Sequence, residues 1–169
     1  IHELGGRQEI IQLWINTPAK HKMDQPAYFP LAAEAVPTFK SDDAKVKAKV
    51  FSGNLLGLKG PIPSQVEVNA ATLEVDAGGK IEIAIPEEHN LMLYLLDGKL
   101  RVESFGMVDA LHLIHFKQDG EGILIEGLEK SRALLLSGKP INEPVVSHGP
   151  FVMNTQTQIM EAMRDYQMG

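Results

Sequence analysis

The sequence predicts an all-β fold, an antiparallel sandwich or small barrel, followed by one short C-terminal α-helix. Three observations carry this. Across residues 44–138, short apolar or alternating runs recur every 8 to 12 residues or so, separated by turn segments such as DAGG, DG, QDGEG and GLEKS. No helical pattern alternates with those runs, so a parallel βαβ arrangement does not fit. Past Thr155 the apolar spacing changes from two to the helical period.

The elements follow in order. Residues 9–16, EIIQLWIN, alternate as a strand does, with Ile11, Leu13 and Ile15 on one face and Gln12, Trp14 and Asn16 on the other. Trp14, the single tryptophan, reads as a packing residue at a sheet or domain seam, with ligand stacking as the alternative. The next stretch carries Pro18, Pro26, Pro30 and Pro37, too many for a regular element, and reads as an extended arm over a neighbouring surface. Its Lys20, His21 and Lys22 form a solvated tip or, alternatively, a weak anion site.

In AKVKAKVF the lysines 45, 47 and 49 face away from Val46, Ala48 and Val50, the pattern of a half-exposed or edge strand. VEVNAATLEVD places Val66 and Val68 in one phase and Leu73 and Val75 in the other, so a bulge or bend is expected near Ala70 and Ala71. KIEIAI points Ile81, Ile83 and Ile85 inward, and the continuous run LMLYLL reads as a strand buried on both faces or a buried helical turn. Asp97-Gly98 favours a type I′ turn, which makes residues 99–105 a return strand. LHLIHF, GILIE and RALLLSG complete the series. At the end, Thr155 is placed to cap a helix with Gln158 completing a capping box. Ile159, Met163 and Tyr166 then form one apolar stripe, with Glu161, Arg164 and Asp165 turned away.

The totals exclude several classes. A net charge of -6 and a pI near 5.5 argue against direct binding of nucleic acid. Without cysteine there is no disulfide framework, thiolate metal site or cysteine nucleophile. No apolar run approaches the ~18 residues of a membrane helix and no signal-peptide pattern opens the chain, so a membrane role is not expected and a cytoplasmic location is. The start at Ile1 suggests a cropped polypeptide.

Few residues suggest chemistry. His112 and His115 are three apart, which on a strand sends them to opposite faces and prevents chelation of one ion without a bulge. His89 with Glu87 and Glu88 reads as a solvated loop, with a small acidic metal site as the alternative. His148 is expected to pin the turn before the helix by hydrogen bonding, catalysis being the rival reading. Glu74, Glu82 and Glu103 are strand carboxylates that would need a shared cavity for acid-base work. GxGxxG, GxxxxGK, HExxH and GxSxG are all absent.

The two ends of the chain carry a resemblance. IQLWINTPAKHKM and INEPVVSHGPFVMNTQTQIMEAMRDYQMG are similar to the LWVNLPAKxKM and HGPFVMNT phrases of the pirin family of bicupin proteins. The resemblance implies a cupin-type antiparallel double-stranded β-barrel, or jelly roll. It further implies a division into an N-terminal strand and interdomain arm (1–40), a C-terminal cupin barrel (41–150) and a C-terminal helix (151–169), with HGPFVMN as a strap crossing the barrel. Family members hold their metal in the first of two barrels, on a segment like HPHRGFETVTYLLEG with a later histidine. Laid on AIPEEHNLMLYLLDG, those ligand positions fall on Ala84, Pro86 and Asn90, and less securely near Ile125. None is a histidine or a carboxylate.

The resemblance therefore implies a metal-free, non-catalytic second barrel with no catalytic, cofactor-binding or metal-ligating residues of its own. Iron or another divalent metal would belong to an N-terminal half absent from this chain. That half is the expected partner, and self-association, as a dimer, would cover apolar surface left open without it. The alternatives are part of a metal-dependent dioxygenase of the quercetin 2,3-dioxygenase type, an enzyme in its own right using His89, Glu87 and Glu88, or a barrel that holds a small apolar ligand. For eukaryotic members the family also implies a nuclear role as a transcription cofactor.

Overall fold

Strand alternation is realised from Thr38 onward in the computed structural model, which describes residues 5, 6 and 8–169. The chain divides into two units, Asp24–Asn142 and a second formed by the described part of Ile1–Met23 together with Glu143–Gly169. None of the described helices is long and apolar enough to cross a membrane.

Within Asp24–Asn142 the strands are β1 (Thr38–Lys40), β2 (Val46–Ser52), β3 (Asn54–Leu55), β4 (Leu58–Lys59), β5 (Val68–Val75) and β6 (Lys80–Ala84). They continue with β7 (Asn90–Asp97), β8 (Lys99–Val102), β9 (Gly106–Asp109), β10 (His112–His115), β11 (Gly122–Gly127) and β12 (Ser131–Gly138). One antiparallel sheet has the order β1-β2-β5-β12-β7-β10, the other β6-β11-β8-β9, and β3 and β4 make a small hairpin. Inward side chains of both sheets meet in one core. Leu73, Leu93, Leu95, Leu100, Ile83, Ile125 and Leu135 are among its fully buried members, and each full burial stabilises by about 1.5–3 kcal/mol. Ile81, Ile83 and Ile85 point inward as expected.

Several sequence expectations change in detail. β2 is not an edge strand, because β1, from within the proline-rich arm, pairs along its outer side. The irregularity expected near Ala70 and Ala71 is present, but the extra residue is on the opposite strand. Val50 pairs with Ala71 and Ser52 with Ala70, leaving Phe51 unmatched. LMLYLL is a strand, and its burial alternates: Leu91, Leu93 and Leu95 are buried, Met92, Tyr94 and Leu96 half-buried.

Asp97-Gly98 closes no hairpin. β7 pairs with β12 and β10, whereas β8 pairs with β11 and β9, so the chain changes sheets at this corner. Gly98 has φ +84, and a Cβ there would run into the Lys130 carbonyl and Ser131. Asp97 accepts hydrogen bonds from Arg132 at 2.7 and 2.6 Å, and Ser131 Oγ accepts the Lys99 N–H at 2.9 Å. The positive φ that favours Asp-Gly in a hairpin serves a corner equally well, and β12 decides between them. The hairpin that returns β8 comes one turn later and joins it to β9, with Ser104 at φ 63 and Gly106 at φ 115.

In the other unit, β13 (Val146–His148) and β14 (Phe151–Met153) pair with each other around Gly149, whose φ is +54. The expected strap is thus a hairpin. It leads into α1 (Gln156–Met168), which starts with the capping box. Thr155 Oγ1 accepts the Gln158 N–H at 3.2 Å, and Gln158 Oε1 accepts the Thr155 N–H at 3.0 Å. On the predicted stripe Ile159 is fully buried and Met163 half-buried, while Tyr166 is largely exposed and meets Phe151 edge-on at 5.9 Å. Glu143 Oε2 accepts both the Ala19 N–H at 2.7 Å and Asn154 Nδ2–H at 3.0 Å, tying the two chain segments of this unit together.

Residues 9–16 correct the sequence reading most. They form no strand; Ile10 is 77% and Trp14 70% exposed. Pleated backbone needs a ladder partner, and β13 and β14 pair only with each other.

Candidate functional site

The barrel core is apolar through most of its height and polar at one end. On β5 the inward set Val75, Leu73 and Ala71 continues to Asn69; on β12 Ala133 and Leu135 continue to Ser137; ahead of β7, Leu95, Leu93 and Leu91 continue to His89. Register places Ser137 opposite Asn69 on one side and Leu91 on the other. The three polar side chains are buried, with exposures of 6%, 4% and 8% for Asn69, Ser137 and His89. They form a chain of hydrogen bonds: the Asn54 N–H donates to Asn69 Oδ1 at 2.8 Å, Asn69 Nδ2–H to Ser137 Oγ at 2.9 Å, and Ser137 Oγ lies 3.3 Å from His89 Nδ1.

This layer faces a cleft of about 720 Å³, within the range typical of small-molecule sites. Phe29, Asn54, Lys59, Glu67, Asn69 and His89 are among its lining residues. The hairpin of β3 and β4 forms one wall, drawn in close because Gly53, at φ +79, has no Cβ to strike the Val68 carbonyl and Asn69. Ser52 is also buried and donates its hydroxyl to the Ile62 carbonyl at 2.9 Å.

His89 is therefore not in a solvated loop, because it stands in phase with Leu91 and turns inward with it. Glu87 and Glu88 are exposed, and Glu88 lies 4.0 Å from Lys139, so the three do not converge. His112 and His115 are exposed on β10, and His112 Nδ1 lies 3.0 Å from the Asp109 carbonyl, which accepts its proton. His148 faces solvent at the end of β13, where backbone pairing and the positive φ of Gly149 shape the turn in place of its imidazole. Glu74, Glu82 and Glu103 are exposed and share no cavity; Glu74 stands opposite Lys47 and Arg132. At the basic tip, Lys22 Nζ donates to Asn16 Oδ1 at 2.6 Å, and His21 and Lys22 border a cavity of about 370 Å³ with Trp14.

The positions implied for metal ligands do not suit a metal. Ala84 and Pro86 offer no side-chain donor, Asn90 is an exposed amide and Ile125 is fully buried hydrocarbon. Among the described residues no group of three or more His, Asp or Glu converges. His89, next to Asn90 in sequence, has its Nδ1 engaged by Ser137. Sequence reading missed Asn69 and Ser137. The signal was available: each is two residues beyond an inward apolar position, where the strand period carries it to the same face.

The Pirin C-terminal cupin domain model matches residues 70–169. A pirin-like protein of Caulobacter vibrioides is 38% identical over 97% of this chain, and one of Solanum lycopersicum is 36% identical over 97%. The chain spans 59% and 57% of the lengths of these relatives. In three dimensions it resembles quercetin 2,3-dioxygenase from Acinetobacter baumannii, with a TM-score of 0.88 and 28% identity over 92% of this chain and 54% of that one. A barrel of two antiparallel sheets, the distinctive HGPFVMNT phrase and these likenesses agree: the chain belongs to the pirin family and contains its C-terminal cupin domain.

Proposed function

We propose that this chain is a metal-free, non-catalytic cupin barrel whose role is structural and interactive, beside a metal-binding N-terminal cupin half of the same protein. The observation that carries the reading is chemical. Where the family resemblance puts ligands, this chain has Ala84, Pro86, Asn90 and Ile125, and the core beneath is filled with leucine, isoleucine and valine. Such a barrel supplies a rigid surface and no Lewis acid site. Large apolar side chains exposed on Asp24–Asn142, including Phe105, Met107 and Leu111, are what this role makes available to a partner half or, in its place, to a second copy. Isothermal titration with iron(II), nickel(II) and zinc(II) tests the reading. No tight uptake is expected, and one equivalent bound at a mononuclear site overturns it.

A second reading rests on the likeness to quercetin 2,3-dioxygenase from Acinetobacter baumannii. The chain would then be part of a metal-dependent dioxygenase, with the chemistry in the portion of such proteins that it does not span. Oxygen consumption with quercetin by this chain alone, abolished in His89→Ala, would move the chemistry into the barrel and defeat both readings.

A further inference from the structure

The cleft over the polar end of the barrel is bordered by His89, a buried histidine whose ring is held from one side by Ser137. Asn69 is fixed in orientation, since its Oδ1 accepts the Asn54 N–H and its Nδ2 must donate to Ser137 Oγ. Ser137 Oγ therefore accepts from Asn69 and has one proton left to give. His89 Nδ1, at 3.3 Å, is the acceptor in reach. If Ser137 gives that proton to Nδ1, the neutral ring carries its own proton on Nε2. Among the described residues Nε2 has no hydrogen-bond partner, and the side chain keeps 8% of its surface open.

From this arrangement we infer that the cleft binds a small uncharged molecule with an apolar or aromatic body and one hydrogen-bond-accepting oxygen, which takes the proton of His89 Nε2. The remaining lining fits that class. Phe29, Pro61, Ile62, Pro63 and Val66 offer apolar contact, and Phe29 is 54% exposed, a ring free to cover a ligand. Of the charged side chains lining the cleft, Glu67 and Glu88 outnumber Lys59, which disfavours phosphates and other polyanions. A ring N–H donor on His89 disfavours cations. A neutral carbonyl compound satisfies that donor and offends neither carboxylate. His89 also borders a cavity of about 80 Å³ with Phe116 and Gly120, which is too small for such a ligand.

Benzamide is a suitable probe, with fluorobenzene as the control lacking the carbonyl and benzoate as the charged one. Long-range proton–nitrogen spectra of the labelled chain, at a pH where the ring is neutral, should report the Nε2–H tautomer of His89. Benzamide should give saturable amide shifts at Ser52, Gly60 and Asn69, and both controls should bind roughly tenfold more weakly or worse, as loss of one buried hydrogen bond or a charge clash requires. Phe29→Ala, an exposed site that does not threaten folding, should weaken benzamide several-fold. Ser137→Ala should leave His89 with mixed tautomers. An Nδ1–H tautomer in the unmodified chain overturns the inference, as do the absence of saturable shifts, an equal response to fluorobenzene, or shifts confined to Phe116 and Gly120.

Discussion

Two six-residue stretches, IIQLWI at 10–15 and LMLYLL at 91–96, look alike as sequence and end differently. Both are rich in large apolar residues and both read as strands. The second lies in β7, hydrogen-bonded to β12 on one side and β10 on the other, with Leu91, Leu93 and Leu95 in the core. The first pairs with no strand and leaves Ile10 and Trp14 mostly in solvent. Apolar content states what a segment must bury, and only a partner far along the chain can bury it. The barrel supplies that partner: Leu135 pairs with Leu93 across 42 residues of sequence, taking 135 less 93.

The largest effect that tests this contrast is truncation. Leu93→Ala should cost about 2–5 kcal/mol, the usual range for a fully buried leucine, while Ile11→Ala should stay within about 0.5 kcal/mol. Chemical denaturation of both variants checks it, and equal costs would break the comparison. A finer version uses two glycines of positive φ. Gly98→Ala meets the Lys130 carbonyl as well as backbone strain, and should cost about 1–3 kcal/mol. Gly149→Ala, whose new methyl would meet no atom within 4 Å, should lose less, on the order of 1 kcal/mol from φ alone. Thermal unfolding that ranks Gly149→Ala as the worse variant would show that crowding at the sheet-changing corner has been misjudged.

Smaller still is the helix cap. Thr155→Ala removes the acceptor for the Gln158 N–H and should cost about 1 kcal/mol, read as faster amide exchange in the first turn of α1 while β7 stays protected. Exchange that speeds up equally in both places would mean the two units unfold as one. The smallest effect belongs to Asp43, whose carboxyl is held below the usual range by the Ser41 hydroxyl at 2.6 Å and then by the Lys45 N–H. A carboxyl lowered on folding stabilises above its unfolded pKa, and that contribution fades as the pH falls through the folded one. Asp43→Asn should therefore flatten the acid limb of the melting-temperature profile slightly and leave neutral pH almost unchanged; a larger loss at neutral pH would assign Asp43 a role beyond its charge.

Much of the barrel was legible because it depends on period two. Ile81, Ile83 and Ile85 turned inward as read, and so did Val46, Ala48 and Val50. The cap at Thr155 was equally plain, since a capping box is written in four consecutive residues. Turns were less reliable. The hairpin of β3 and β4 turns on Leu56 at φ 53 and Gly57 at φ 75, and leucine is no turn signal; it occupies that conformation while packing against the core. Asp97-Gly98 is a strong signal whose outcome was a corner. The polar end of the barrel was hidden for a different reason. His89, Asn69 and Ser137 are 20 and 48 residues apart, taking 89 less 69 and 137 less 89, and no spacing announces that three strands end in the same layer.

What the sequence determined by itself was the inward face of the clearly alternating strands, the antiparallel class, the capped helix and, through two phrases at its ends, the family. These are local properties, fixed by alternation and by residues within a turn of one another. Tertiary structure alone decided which strand met which, where the Asp97-Gly98 corner led, that residues 10–15 went unpaired, and that His89 turned inward onto Ser137. Each of those depends on a backbone partner tens of residues away, whose position is set by closing the whole barrel rather than by any local preference.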